Sequence, residues 1–145
     1  MAALTGTEQN KRRCITLPND VRVVPRLTNF VDEVCEAVNF DMGTTMKMSL
    51  AIEEAVVNVM NYAYPVGTTG NVDVEALADD EWLTFLISDS GKPFDPTLRK
   101  EIDITLPLEE RSIGGLGIHL VRHIMDSISY ERTDGTNVLT LRKKL

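Results

Sequence analysis

At 145 residues, 43% of them hydrophobic, the chain suits one domain with a sizeable core. Its 15 Lys and Arg against 22 Asp and Glu leave a net charge of -7, so the average surface field repels a phosphate backbone and direct nucleic-acid binding is not expected. No signal-peptide pattern and no apolar run of about 18 residues is present, which sets aside a secreted or membrane protein.

Residues 1–13, ending in Lys11, Arg12 and Arg13, read as a flexible arm, and residues 14–145 as the folded domain. Cys14 to Leu17 predicts a short strand stopped by Pro18, which has no N–H to donate. Pro25 suits the first turn of a helix reaching about Phe40, with Phe30, Val31, Val34 and Val38 at helical intervals. After a turn over Asp41 to Thr45, a second helix is predicted from about Thr44 to Tyr64, broken by Pro65 and Gly67. Asn71 to Ala78 and Trp82 to Ser88 alternate as strands around an acidic turn. A loop from Asp89 to Gly117 follows, then a third helix from Ile118 to about Asp126. Ile128 to Arg132 and Thr136 to Arg142 pair around Asp134 and Gly135. Cys14 and Cys35 fall in separate segments without metal-ligand spacing and are expected as reduced thiols in the cytoplasm. The expected class is α+β: a mostly antiparallel mixed sheet with about three helices on one face.

Three places on this outline carry chemistry. On the second helix, Met48, Ile52, Ala55, Val59 and Ala63 share one side, while Glu54, Asn58 and Asn61 share the opposite one. A solvated face accounts for such a trio, but two asparagines are unusual inside a helix. A carboxylate one turn before an amide oxygen can serve as a base beside a metal ligand. The second place is Asp89-Ser90-Gly91, where an apolar strand delivers a carboxylate to the rim of the sheet; a plain turn explains the same residues. The third is Gly114-Gly115-Leu116-Gly117, which opens a helix and either cradles phosphate oxygens or is a simple hinge. It lacks the Lys-Ser/Thr of a Walker A loop and is not a dinucleotide fingerprint.

Taken in order, EEAVVNVMNYAY, ISDSGKPFDP and GGLGIHLVRHIMD, closed by DGTNVLTLRK, resemble the N box and the two glycine boxes of the histidine-kinase-like ATPase superfamily. Within it, they are most similar to the stand-alone anti-sigma-factor serine kinases, over about Cys14 to the C-terminus. The resemblance implies the Bergerat ATP-binding fold, with ATP and Mg2+ as cofactors. It gives Glu54 the role of general base toward the acceptor serine and Asn58 that of magnesium ligand. Asp89 takes the adenine amine, Gly91 lets the base approach, and Thr136 stands near the adenine pocket. Gly114, Gly115, Leu116 and Gly117 form the phosphate loop, and Asn61 and Phe94 fall within the nucleotide-binding boxes. Glu53 is the neighbour that pattern alone does not separate from Glu54. Pro93 stands where many members have a second glycine, as in the short kinases.

The implied activity is phosphorylation of an anti-sigma-factor antagonist, coupled to capture of a sigma factor, by a chain that can pair as a homodimer. An ATP-binding module that captures partners without transfer is the alternative. Residues Pro96 to Ile113 would form the lid, with Arg99, Lys100 and Arg111 as solvated charges or phosphate contacts. His119 and His123, at i and i+4, are expected as surface or packing residues.

Overall fold

The computed structural model describes residues 5–7, 10–98 and 115–145. Six strands form one sheet: β1 (Thr5–Thr7), β2 (Asn10–Pro18), β3 (Asn71–Ala78), β4 (Trp82–Asp89), β5 (Ser127–Thr133) and β6 (Thr136–Lys144). Their spatial order is β1-β2-β3-β4-β6-β5. Every pairing is antiparallel, which tightens the expectation of a mixed sheet. Helices α1 (Val24–Ala37), α2 (Met42–Tyr62) and α3 (Gly115–Ile124) complete an α+β sandwich.

Alternation along the strands decides which face is covered. Val72, Val74 and Ala76 on β3, Leu83, Phe85 and Ile87 on β4, and Leu139 and Leu141 on β6 are buried against apolar stripes of the helices. These stripes include Leu27 and Val31 of α1, Met48, Ile52 and Val56 of α2, and Ile118 and Val121 of α3. Phe85 is fully buried, and cutting it to alanine would cost about 3–5 kcal/mol. The intervening residues Thr16, Asp73 and Glu75 face outward and carry polar pairs, including Thr16 Oγ1 to Asp73 Oδ1 at 2.6 Å.

Local hydrogen bonds set the element ends. Helix α1 stops at Ala37, three residues before the expected Phe40, because Asn39 takes a left-handed φ of 63°. The Phe40 N–H then returns to Cys35 O and that of Asn39 to Glu36 O, the paired bonds of a Schellman ending. Helix α2 begins at Met42 rather than Thr44 since the Asp41 side chain accepts from Thr44 N at 2.7 Å. Strand β2 opens at Asn10, four residues ahead of the expected Cys14, so Asn10–Arg13 belongs to the sheet rather than to a free arm. Arg12 pairs there with Glu75, and Arg13 with Glu33. The β5–β6 turn has φ of 52° at Asp134 and 78° at Gly135; two positive values in succession match the twist of a tight hairpin.

Candidate active site

Among the described residues three polar or charged side chains are buried: Asn58 (4% exposed), Asp89 (4%) and Asn137 (3%). Burying a polar group in an apolar core is costly unless it is hydrogen-bonded, so such residues mark either a satisfied network or a site. Asp89 and Asn137 belong to a satisfied network, and Asn58 does not.

Asp89 continues the inward series Leu83, Phe85, Ile87 at the end of β4, and Asn137 precedes Leu139 and Leu141 on β6. The two lie directly opposite in register. Asn137 Nδ2 donates to Asp89 Oδ1 at 2.9 Å and to Lys92 O at 2.8 Å. Its Oδ1 accepts from Tyr130 Oη and from Arg132 at 2.9 Å. Asp89 Oδ1 also accepts the Gly91 N–H at 2.8 Å. Both bonds fall on one oxygen, leaving Oδ2 as the acceptor for a further donor. Burial pushes the Asp89 carboxyl above the usual carboxylate range, and the bonds from Asn137 and Gly91, with the charge of Arg132, partly offset this.

The turn after Asp89 is tied on all sides. Ser90 N donates to Tyr64 Oη at 3.1 Å, and Tyr64 Oη donates to Asn71 O at 2.6 Å. Arg132 donates to Gly91 O at 3.1 Å. Lys92 N donates at 2.8 Å to Ala63 O, a carbonyl that the end of α2 leaves unpaired. The Phe94 ring packs on Tyr62 with centroids 5.6 Å apart. The turn and α2 are thereby one packed unit. An open cleft of about 700 Å3 at this end of the sheet is lined by Asp89, Gly91, Lys92 and Thr136, together with Tyr64 and Ser88. Glu54 and Asn58 are not among its lining residues.

On α2, Asn58 Nδ2 is buried with no hydrogen-bond partner among the described residues. A bare buried NH2 of this kind costs about 1–3 kcal/mol and is a donor in want of an acceptor. Glu54, one turn earlier and half-buried, has no hydrogen bond or ion pair among the described residues. Glu53 is different: its carboxylate accepts from Thr28 Oγ1 of α1. The contacts thus distinguish the two adjacent glutamates: Glu53 joins α2 to α1, and Glu54 makes no such bond among the described residues. Asn61, three residues further along the helix, is exposed. Gly115, Leu116 and Gly117 form the first turn of α3, which starts three residues before the expected Ile118; Gly114 lies outside the described residues. The lid charges Arg99, Lys100 and Arg111 also lie outside them. His119 and His123 are exposed, and no group of three or more His, Cys, Asp and Glu comes together among the described residues. No helix among them is long and apolar enough to cross a membrane.

Residues 17–143 match the family model described as the histidine kinase-like ATPase domain. The chain belongs to the histidine kinase-like ATPase family. Relatives within it include serine/threonine-protein kinase BtrW of Bordetella bronchiseptica, 31% identical over 65% of this chain and 66% of that protein. Serine-protein kinase RsbW of Listeria monocytogenes is 27% identical over 73% of this chain and 70% of its own length. RsbW of Bacillus cereus is 33% identical over 73% of this chain and 68% of its own length. This member of the histidine kinase-like ATPase family thus stands among serine/threonine protein kinases, and family membership brings ATP as its nucleotide.

Asn137 is the site residue that motif reading passed over. It sits beside Thr136 in a strand-forming run, and its only sequence signal is an amide at a position whose alternation demands an apolar side chain.

Proposed function

We propose that this chain uses Mg-ATP to phosphorylate a serine or threonine of an anti-sigma-factor antagonist, and that it holds a sigma factor when the antagonist has left. The observation that carries the reading is the coexistence of a half-anchored buried carboxylate, Asp89, with a buried amide, Asn58, one turn beyond Glu54, a glutamate with no hydrogen bond or ion pair among the described residues. Asp89 Oδ2 accepts the exocyclic amine of adenine. The amide oxygen of Asn58 would hold Mg2+, which needs few protein ligands when phosphates and waters fill the rest; the ion, when bound, neutralises phosphate charge.

Glu54 orients the acceptor hydroxyl and takes its proton as the oxygen bonds to the γ-phosphorus. The bond from that phosphorus to the bridging oxygen breaks, giving phosphoserine and ADP. Gly115 and Gly117, in the first turn of α3, would bring backbone N–H groups to the phosphates. The product gains roughly two negative charges next to a protein of net charge -7, which drives the modified antagonist away and frees the kinase for the sigma factor. The same reading sets the chain in the cytoplasm, able to pair as a homodimer.

The test is incubation with γ-labelled ATP and a candidate antagonist protein. Label is expected on a serine or threonine with the native chain and with Glu53→Gln. Glu54→Gln should lose transfer by about 100-fold or more while still binding Mg-ATP. Equal labelling by Glu54→Gln removes its role as base. A native chain that binds Mg-ATP and both partners yet never transfers is a capture module.

A further inference from the structure

The structure assigns to Asn137 the role of a positioning residue that makes the chain selective for a 6-amino purine, by fixing which oxygen of Asp89 remains free and where it points. This rests on the nucleotide reading above and deepens it. Asn137 has all four of its hydrogen-bonding positions filled. Two donors, Tyr130 Oη and Arg132, converge on its Oδ1, and two acceptors, Asp89 Oδ1 and Lys92 O, receive its Nδ2 hydrogens.

The amide therefore has one workable orientation. Rotating it by half a turn would set oxygen against two acceptors and an NH2 group against a guanidinium, stranding buried groups on both sides. The consequence passes to Asp89. Its Oδ1 is held by Asn137 on one side and by Gly91 N on the other, so the carboxylate cannot turn to exchange its oxygens without breaking two charge-assisted bonds. What remains is one acceptor, Oδ2, in a fixed place. A purine bearing an amine at carbon 6 donates to it; one bearing a keto oxygen there places acceptor against acceptor. Sites built to hydrogen-bond one such group reject the analogue lacking it, because their own buried group is then left unpaired. Arg132 also reaches Gly91 O, so the same guanidinium holds both the amide and the turn that carries Asp89.

The experiment compares equilibrium binding of Mg-ATP and Mg-inosine triphosphate, which share the triphosphate and differ in the 6-amino against 6-keto group and in the proton on N1 that accompanies the keto form. The native chain is expected to prefer ATP by about 10- to 100-fold, the range of a hydrogen bond to a charged group. In Asn137→Ala this preference should fall below about threefold, chiefly through weaker ATP binding. Tyr130→Phe removes one hydroxyl at the rim of the network and leaves the ring packed. It should lower the preference in the same direction by about three- to tenfold, and it serves if Asn137→Ala does not fold. A native chain that prefers ATP, with the preference intact in both variants, overturns the role of Asn137 and leaves the nucleotide reading standing. A native chain that binds neither nucleotide overturns both.

Discussion

Gly91 lies directly on the carbonyl of Ala63. A Cβ at position 91 would stand 2.2 Å from Ala63 O and 2.7 Å from the carbonyl carbon, both backbone atoms that cannot swing aside. The glycine is thus required by packing of the Asp89 turn on the end of α2, whatever else approaches it. Gly91→Ala should lift the turn, lengthen the 2.8 Å bond from Lys92 N to Ala63 O, and cost about 1–3 kcal/mol of stability. Chemical denaturation would show a lower midpoint, and Mg-ATP affinity should fall more than stability does. A variant as stable as the native chain would show that the loop has room to move.

Asn58 sets stability against function. Its unpaired buried amide costs the ligand-free protein free energy, and a leucine of similar volume has nothing to leave unsatisfied. Asn58→Leu should therefore raise the thermal midpoint of the ligand-free chain, or leave it unchanged, while Mg2+-dependent ATP binding is lost. Calorimetry with and without Mg2+ reads the second half. Retained Mg2+ dependence would exclude Asn58 as the metal ligand.

Asp89 gives a pH dependence whose sign can be worked out. Its folded pKa is raised, chiefly by burial, above the unfolded value. This group's contribution to stability is therefore fully present below the ordinary carboxylate pKa and is lost as pH rises through the raised one. Binding runs the other way, since an adenine amine needs the ionised acceptor. The preference for ATP over inosine triphosphate, in which titration of the shared triphosphate cancels, should decline as pH is lowered from 7.5 through a point above the usual Asp value of about 3.9. Asp89→Asn should have a weak preference that pH does not move. A native preference flat down to the ordinary carboxylate range would place the anchor elsewhere.

The two thiols should separate cleanly. Cys35 is fully buried on α1, and burial, helped by Asp32, pushes its pKa up to about 12. Cys14 is exposed on β2, with a pKa raised by partial desolvation and the neighbouring Glu75. At pH 8 a thiol reagent should modify one cysteine in the native chain, slowly, and the second after denaturation. Rapid reaction of both in native buffer would show that α1 opens readily.

Much of this architecture is legible in the order of residues. The hairpins over Asn71–Asp89 and Ser127–Lys144 announce themselves through alternation and turn chemistry; the candidates Glu54 and Asn58 come from their shared helix face, and Asp89 from the end of an apolar strand. What pattern misses is long-range. Lys11, Arg12 and Arg13 look like a charged tail until pairing with β3 brings Glu75 beside Arg12. Asn58 looks solvated because its buried surroundings come from other elements. Asn137 is invisible as a site residue, since only the pairing of β4 with β6 puts it opposite Asp89, 48 positions earlier.

That pairing has a temporal meaning for the living chain. A ribosome delivers α2 and β4 well before β6, so for a time β4 presents one bare backbone edge and Asp89 lacks its amide tether. If Asp89 takes the purine amine as proposed, recognition of it is acquired only when residue 137 zips into place, and immobilised adenine nucleotide should retain chains that include β6 while letting shorter nascent fragments pass.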